Sequence, residues 1–201
     1  MKIVKTEVFV LGDPEPSGQG GDGSRIHGLA FVRVHTDEGI AGLSEIFTVP
    51  PSVARAVLDG PESLFGRLLL GEDPIPPERL WTRLYNSMLH GNRRGWVVIC
   101  LGAVDVALWD IRGKADGLPC WKLLGEPRTD PIVPYASLQP NGDSYAEYRD
   151  SLVAWAVRAR DLGFRAGKME VTLSGPYNHS GMDEPDDRVT EVVRACREAV
   201  G

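Results

Sequence analysis

The sequence has few cysteines and no concentration of positive charge. Its three cysteines, Cys100, Cys120 and Cys196, are far apart and show no metal-binding spacing, so neither a disulfide framework nor a cysteine metal site is indicated. Such a sparse, odd number favours free thiols in a reducing cytoplasm. Lys and Arg total 22 against 28 Asp and Glu, a net charge of -6, and no basic run could follow a phosphate backbone. We therefore expect no nucleic-acid partner.

The sequence also lacks a long hydrophobic segment. Charges at Lys5 and Glu7 interrupt the amino terminus where a signal peptide needs an apolar core. The longest apolar run, around residues 96–104, is much shorter than a membrane span and is followed at once by Asp105. We therefore expect a cytoplasmic protein without membrane association. With 201 residues, of which 42% are hydrophobic, the chain is long enough for one or two domains with a sizeable core.

The most informative segment is a predicted helix that begins near residue 96 and stops at Gly117. Its apolar residues recur mostly at spacings of three and four, which is typical of a helix with a buried stripe. These residues are Trp96, Val97, Cys100, Val104, Leu108 and Ile111. Gly102 and Ala103 are small enough to let a neighbouring backbone approach, and Pro119 is placed to open a second short helix that ends at Gly125.

Before this helix, the pattern predicts strands and then helices. Strands are predicted over residues 3–11, 27–36 and 40–46, with an antiparallel turn at Asp37-Glu38-Gly39. Two short helices are predicted within residues 50–70 and a longer one over residues 77–89. The segment 12–25 is too rich in Gly and Pro for regular structure, so it is either a simple hairpin connection or a functional lid.

After residue 127 the pattern changes to an alternation of strands and helices. Strands are predicted over residues 132–138 and 165–171, and helices over residues 144–162 and 184–200. Ser144 with Glu147 three residues later has the spacing of a helix-capping pair. Alternation of this kind is typical of a parallel α/β structure.

The long helix carries a motif that resembles one from a known family. The motif reads AVDVALWDIRGKA over residues 103–115 and continues as Gly117-Leu118-Pro119 and Leu123-Leu124-Gly125. It is similar to the helix that joins the capping domain to the barrel in the mandelate racemase and muconate lactonizing branch of the enolase superfamily. The resemblance implies an α+β capping domain over residues 1–127, with a three-stranded antiparallel sheet plus helices. The first two βα units of a (β/α)-barrel would follow over residues 128–201, as an incomplete barrel domain.

The resemblance also implies the chemistry of the complete enzyme. Enzymes of this branch use Mg²⁺ to help remove the proton α to a carboxylate, and their metal ligands lie at the ends of later barrel strands. We therefore expect no metal ligand in this chain, and Mg²⁺ ligands beyond Gly201. A polar lid would suit a small hydroxylated carboxylate, so sugar-acid dehydration is the preferred prediction, with racemisation or cycloisomerisation as alternatives. Assembly into a homo-oligomer, or with the missing remainder of the barrel, is also implied.

Several candidate site residues lie on the two predicted barrel strands, with Lys168 and Glu170 as the catalytic candidates and Tyr135 as a substrate-binding candidate. Reactive groups of such barrels sit at the carboxyl ends of the strands, which here gives Tyr135, Ser137, Lys168 and Glu170. Lys168 and Glu170 are two residues apart, so in a strand both face the same side. The family often has Lys-x-Lys here, and Lys168 matches the first lysine. Glu170 departs from the pattern: it is either a base whose pKa is raised by desolvation or an ion-pair partner of Lys168.

The segment 12–25 supplies the remaining candidates. In the resembled family a loop of the capping domain closes over the barrel mouth and contacts the far end of the substrate. Ser24, Arg25 and His27 are the polar residues at the end of this segment that could contact a substrate, although solvated loop residues are an equal alternative. A non-catalytic binding or assembly module, a half-barrel that needs a partner chain, is the alternative function from a different class.

Overall fold

The computed structural model describes residues 1–12, 29–90, 94–125, 132–169, 171–173 and 183–201. They fall into two compact units, the first made of the described residues up to 125 and the second of those from 132 onward. Within these ranges, no helix is both long enough and apolar enough to cross a membrane.

The first unit contains a three-stranded antiparallel sheet. Its strands are β1 (Ile3–Leu11), β2 (Leu29–Thr36) and β3 (Ala41–Ile46), in the order β1-β2-β3. Alternate residues such as Val8, Val32 and Val34 are buried because successive side chains of a strand point to opposite faces. The predicted antiparallel sheet is confirmed.

In the described residues of the first unit, five helices follow the sheet. They are α1 (Pro51–Leu58), α2 (Gly66–Leu69), α3 (Pro77–Ser87), α4 (Trp96–Asp116) and α5 (Cys120–Leu123). Prolines open α1 and α3, where the missing N–H would have no partner in the helix. Helix α4 stops at Gly117, which has a left-handed φ of 65°. The predicted helices and the predicted stop are therefore present.

Helix α4 packs directly on β3, and a glycine of the strand makes this possible. A Cβ on Gly42 would lie 1.9 Å from the carbonyl oxygen of Ala107, so only glycine fits between strand and helix. Two side chains of α4 hold the strand on either side of this contact. The Asp110 carboxylate accepts a hydrogen bond from Leu43 N at 2.9 Å, and Lys114 Nζ donates to Ala41 O at 2.7 Å.

The predicted role of Gly102 is wrong. Its place on α4 is exposed, and a Cβ added there would meet no atom of the described residues within 4 Å. The close approach of the two backbones occurs one and a half turns further along, and the small residue is on the strand instead of on the helix.

Both edges of the sheet are hydrogen-bonded to groups outside it. At the β1 edge, Ile3 N donates to Glu72 O at 2.9 Å and Gly71 N donates to Ile3 O at 2.8 Å. Further along, Gly60 N donates to Thr6 O at 3.1 Å. The β3 edge is bonded by the two side chains of α4 described above. The edge positions that would pair with another strand are thus partly occupied within the first unit.

The second unit contains two parallel strands, each followed by a helix. The elements are β4 (Ala136–Leu138), α6 (Tyr145–Asp161), β5 (Gly167–Met169) and α7 (Asp187–Val200). The order and the parallel pairing agree with the predicted fold class. Among the described residues, both strands are shorter than predicted, since three residues of each pair with the other strand. Ile132, predicted to be in the first strand, is 86% exposed.

One face of this small sheet is covered by the two helices. Leu138 of β4 packs in a buried cluster with Leu152 of α6 and with Val192 and Cys196 of α7. Helix α6 begins as predicted: the Ser144 hydroxyl accepts a hydrogen bond from Glu147 N at 3.4 Å. The helices therefore fix which face of the strands is left uncovered.

Candidate functional site

The candidate site is the uncovered face of the β4–β5 sheet. In the parallel register Ala136 pairs with Gly167, Ser137 with Lys168 and Leu138 with Met169. Because residues in register on neighbouring strands point to the same face, Ser137 and Lys168 lie side by side. The pairing places a hydroxyl and an ammonium group on one surface.

This surface is opposite the helices. Leu138 is 2% exposed and Met169 is partly buried in the cluster with the helices, whereas Ser137 and Lys168, one position away on each strand, are both exposed. The alternation along each strand requires this arrangement once one face is buried. Lys168 therefore points away from the helices.

Two polar residues extend the row on β4. Tyr135 immediately precedes the strand and its side chain is 58% exposed. Gln139 immediately follows the strand, and its Nε2 lies 3.5 Å from Ser137 Oγ, at the limit of a hydrogen bond. Gln139 was not among the predicted residues, although its spacing of two from Ser137 is the signal that could have identified it.

The other predicted site residues cannot be placed. Ser24, Arg25, His27 and Glu170 lie outside the described residues, so their predicted roles stay predictions. Tyr135 and Lys168 belong to the same unit: Tyr135 directly precedes β4, and Lys168 lies on β5, which pairs with β4.

The beginnings of α6 and α7 are joined by a polar cluster. The Tyr145 hydroxyl donates to Glu191 Oε2 at 2.8 Å, and Arg188 Nη1 donates to the same oxygen at 2.7 Å. The Arg188 guanidinium also lies 4.8 Å from the centre of the Tyr145 ring. The hydrogen bonds from Arg188 and Tyr145 lower the pKa of Glu191, while burial and then the Glu191 hydrogen bond raise the pKa of Tyr145.

The described residues do not form a metal site. Among them, no group of three or more His, Cys, Asp or Glu side chains is close enough to hold a metal ion. The sequence-based expectation that this chain supplies no ligand to Mg²⁺ stays a prediction, and no step of the chemistry is assigned to a metal on these residues.

A cleft of about 520 Å³ lies in the second unit but on the helix-covered side of the sheet. Its lining includes Phe164, Ala166, Cys196 and Val200, with no acidic or imidazole side chain among the described residues that surround it. Because it combines an apolar lining with arginines and lies across the sheet from Lys168, the cleft is separate from the candidate site.

Known proteins match the chain along most of its length. Residues 21–125, more than half of the chain, match the family described as "Mandelate racemase / muconate lactonizing enzyme, N-terminal domain". D-galactarolactone cycloisomerase of Agrobacterium fabrum is 30% identical over 171 residues, and D-galactonate dehydratase of Klebsiella pneumoniae is 33% identical over 175. Each alignment covers 85% of this chain but only 41% and 42% of the respective enzyme.

A solved structure agrees with these matches. The crystal structure of the 3,6-anhydro-D-galactonate cycloisomerase from Zobellia galactanivorans superposes with a TM-score of 0.74 at 27% identity. The match covers 100% of this chain and 48% of that one. The chain thus spans less than half the length of these three relatives.

Proposed function

Because the chain belongs to the mandelate racemase/muconate lactonizing branch of the enolase superfamily, we propose that it forms the N-terminal portion of a Mg²⁺-dependent enzyme that removes the proton α to a carboxylate. Within this proposal, residues 1–127 are the capping domain and residues 128–201 begin the barrel. The substrate is a hydroxylated acid, and the reaction is loss of water. The D-galactonate dehydratase among the relatives supports both choices.

The placement of Lys168 carries the proposal. Its side chain is exposed on the face opposite the helices, beside Ser137, at the position where the family motif has its first lysine. An ammonium group there can bind the substrate carboxylate, and the Ser137 and Tyr135 hydroxyls can donate to its oxygens. The three groups together favour a ligand with a carboxylate next to a hydroxylated carbon.

The reaction balances as the loss of one water molecule. The α C–H bond breaks, its proton passes to a base, and its electron pair moves into the enediolate of the former carboxylate. The C–O bond at the β carbon then breaks, the hydroxyl accepts a proton and leaves as water, and the enol becomes a 2-oxo acid. A divalent cation, when bound, offsets the enediolate charge through ligands outside the described residues. Lys168 holds the carboxylate; Glu170 is either a base or an ion-pair partner of Lys168.

The alternatives are another reaction of the same family or a non-catalytic role. Cycloisomerisation is favoured by the cycloisomerases among the relatives, and racemisation belongs to the same family chemistry. A non-catalytic half-barrel that binds a partner chain is favoured by the exposed Ser137 and Lys168 face of the β4–β5 sheet and by the exposure of Ile132 and Val133, which precede β4. For the enzyme, a cytoplasmic location and a homo-oligomer complete the proposal.

The first measurement is the intact mass of the protein purified from its native host. A mass near 21.9 kDa would favour the half-barrel, and its partner chain would then be sought by co-purification. A substantially larger mass would favour the enzyme, and that larger protein would enter the assay.

The assay incubates the protein and Mg²⁺ with a panel of aldonic and aldaric acids and detects a 2-oxo acid as its semicarbazone. We expect Lys168→Ala to abolish turnover, while Lys122→Ala, which removes an exposed lysine of α5, leaves it unchanged. A product of unchanged mass would indicate cycloisomerisation or racemisation instead of dehydration. Wild-type activity in Lys168→Ala would remove Lys168 from the mechanism, and Mg²⁺-dependent turnover by a 21.9 kDa protein would eliminate the binding module.

A further inference from the structure

The sheet of the first unit has an exposed face, opposite the one on which Val8, Val32 and Val34 are buried. We call it the outer face. Its large apolar residues are Phe9, Leu11, Leu29, Phe31 and Leu43, and Phe47 extends it directly after β3. The three leucines are 40% to 56% exposed, and Phe47 is 65% exposed. A continuous apolar patch of this kind marks an interaction surface, unlike single exposed residues.

The outer face also carries one positive and one negative side chain without a partner of opposite charge among the described residues. There, the Glu45 carboxylate makes no ion pair or hydrogen bond. The Arg33 guanidinium contacts an aromatic ring instead of an acid, since its central carbon lies 4.9 Å from the centre of the Phe9 ring. By contrast, Glu7 on the same face is bonded to Lys5 and His35, both at 3.1 Å.

The register of the strands relates these two charges by symmetry. Phe31, on the middle strand, pairs with Phe9 of β1 on one side and with Glu45 of β3 on the other. A two-fold axis along β2 exchanges β1 and β3, so it would place Glu45 of one copy opposite Phe9 of another copy. Because the Arg33 guanidinium lies over the Phe9 ring, the carboxylate would meet the guanidinium there.

We propose that the outer face binds a second copy of this chain around a two-fold axis along β2, with Arg33 of each copy paired with Glu45 of the other. Each contact occurs twice in such an interface, so both unmatched charges of both copies are paired. Sheets that pack face to face keep their strand directions within about 30°, which an axis along a strand allows.

The apolar residues of the outer face fit the same axis. Leu29 and Phe31 lie on the middle strand, so each packs near its own counterpart in the second copy. Leu11 pairs with Leu29 at the end of the sheet next to Phe47, and the exchange of β1 and β3 brings Leu11 towards Phe47 of the second copy. Apolar side chains therefore meet apolar side chains, while Arg33 meets Glu45.

The size of the outer face sets the expected affinity. One position on a sheet face covers about 4.8 Å by 6.8 Å, which gives the outer face an area of about 400 Å². A stable interface typically buries about 800 Å² on each partner, so we expect a weak dimer that forms only at high concentration. The interface gives a surface to the homo-oligomer of the proposed function and rests on that part of it alone, since neither Lys168 nor a substrate takes part.

The test measures self-association of the protein by sedimentation velocity between about 10 µM and 1 mM, where weak dimers form. We expect the wild type to dimerise in this range. Arg33→Glu and Glu45→Arg each place like charges opposite each other, so each variant alone should dimerise about tenfold more weakly. An equimolar mixture of the two variants should dimerise as well as the wild type, because both opposite-charge pairs are restored between unlike chains.

The control variants are Arg67→Glu and Glu62→Arg, which make the same charge changes at exposed positions outside the outer face. Alone and mixed, they should dimerise like the wild type, which separates the interface from a general attraction between differently charged chains. Circular dichroism checks that each variant is folded. If either outer-face variant is unfolded, Arg33→Gln replaces it, and its dimer should no longer weaken with added salt as the wild-type dimer does.

Three results would overturn the interface. They are a wild type that stays monomeric at the highest concentration, a dimer that Arg33→Glu and Glu45→Arg leave unchanged, and a mixture of these variants that stays as weak as either alone. An unchanged dimer would still leave the homo-oligomer of the proposed function in place, through another surface. The turnover assay with Lys168→Ala tests the proposed reaction separately, because sedimentation needs no substrate.

Discussion

The substitution Gly42→Ala should strongly destabilise the first unit. An added Cβ would lie 1.9 Å from Ala107 O and 2.8 Å from the Ala107 carbonyl carbon, both of them backbone atoms that no rotamer change can move. It would also lie 2.9 Å from a side-chain atom of Ile111. The strand and the helix must therefore separate until the 1.9 Å contact reaches at least 3.4 Å, a displacement of about 1.5 Å.

The surrounding bonds prevent an easy separation. Ala41 O and Leu43 N, on either side of Gly42, are bonded to Lys114 and Asp110 of the same helix, so moving the strand outward stretches both. Overpacking of this severity should lower the free energy of unfolding by about 3 kcal/mol or more. This is a large fraction of the roughly 5 to 15 kcal/mol by which a typical folded protein is stable. Urea unfolding followed by circular dichroism measures the loss.

The matched control is Gly102→Ala on α4, the helix that packs on β3. In the part of the chain that the structure describes, an added Cβ there meets nothing within 4 Å, so replacing this helical glycine by alanine should stabilise the chain by about 0.8 to 1 kcal/mol. The two alanine variants thus differ in the sign of their effect. A loss below about 1 kcal/mol for Gly42→Ala would refute the close packing of β3 on α4.

Three further predictions concern stability. Thr6 is 1% exposed, and its hydroxyl has no hydrogen-bond partner in the part of the chain that the structure describes. Thr6→Val should therefore raise the free energy of unfolding, measured by urea titration, by about 1 kcal/mol. A lower free energy of unfolding would show that the hydroxyl has a hydrogen-bond partner. A hydrogen bond from His35 lowers the pKa of Glu7 from 4.5, and one from Arg79 lowers the pKa of Glu72 from 4.5. The stabilisation by both carboxylates is present above pH 4.5 and is lost as the pH falls below it, so the melting temperature should drop below pH 4.5. The drop should be smaller in Glu72→Gln, and a melting temperature that does not change with pH would contradict both ion pairs. Burial raises the pKa of Cys100 from 9.0 to about 11, so the thiol of the unfolded chain loses its proton at a lower pH than the thiol of the folded chain. The free energy of unfolding should therefore fall as the pH rises from 9 to 11, and Cys100→Ala should reduce that fall. An equal fall in both proteins would argue against a buried thiol.

Features with local causes could be predicted from the sequence. The stop of α4 at Gly117 and the cap of α6 at Ser144 depend on residues within one turn of the helix end, so the sequence alone contains the signal. The strands of the first unit were predicted nearly to their ends, because one buried face imposes an alternation on the sequence.

Features that depend on distant residues could not be predicted. The requirement for glycine at position 42 comes from Ala107 on another element, and nothing near Gly42 in the sequence indicates it. Strands β4 and β5 are short because pairing needs a neighbour, which no apolar pattern within one strand can supply. In the site, the alternation predicted that Lys168 faces one side, but its pairing with Ser137 required the register between strands.

The occupied edges of the first sheet have a consequence for behaviour at high protein concentration. A sheet grows into a fibril when the free backbone groups of an edge strand accept a strand from another molecule. Here Ile3, Thr6, Ala41 and Leu43 already use edge groups within the chain, so an incoming strand would have to displace bonds on either side. Substitutions that remove Asp110 and Lys114 together should therefore expose one edge and promote fibrils from a chain that is still largely folded.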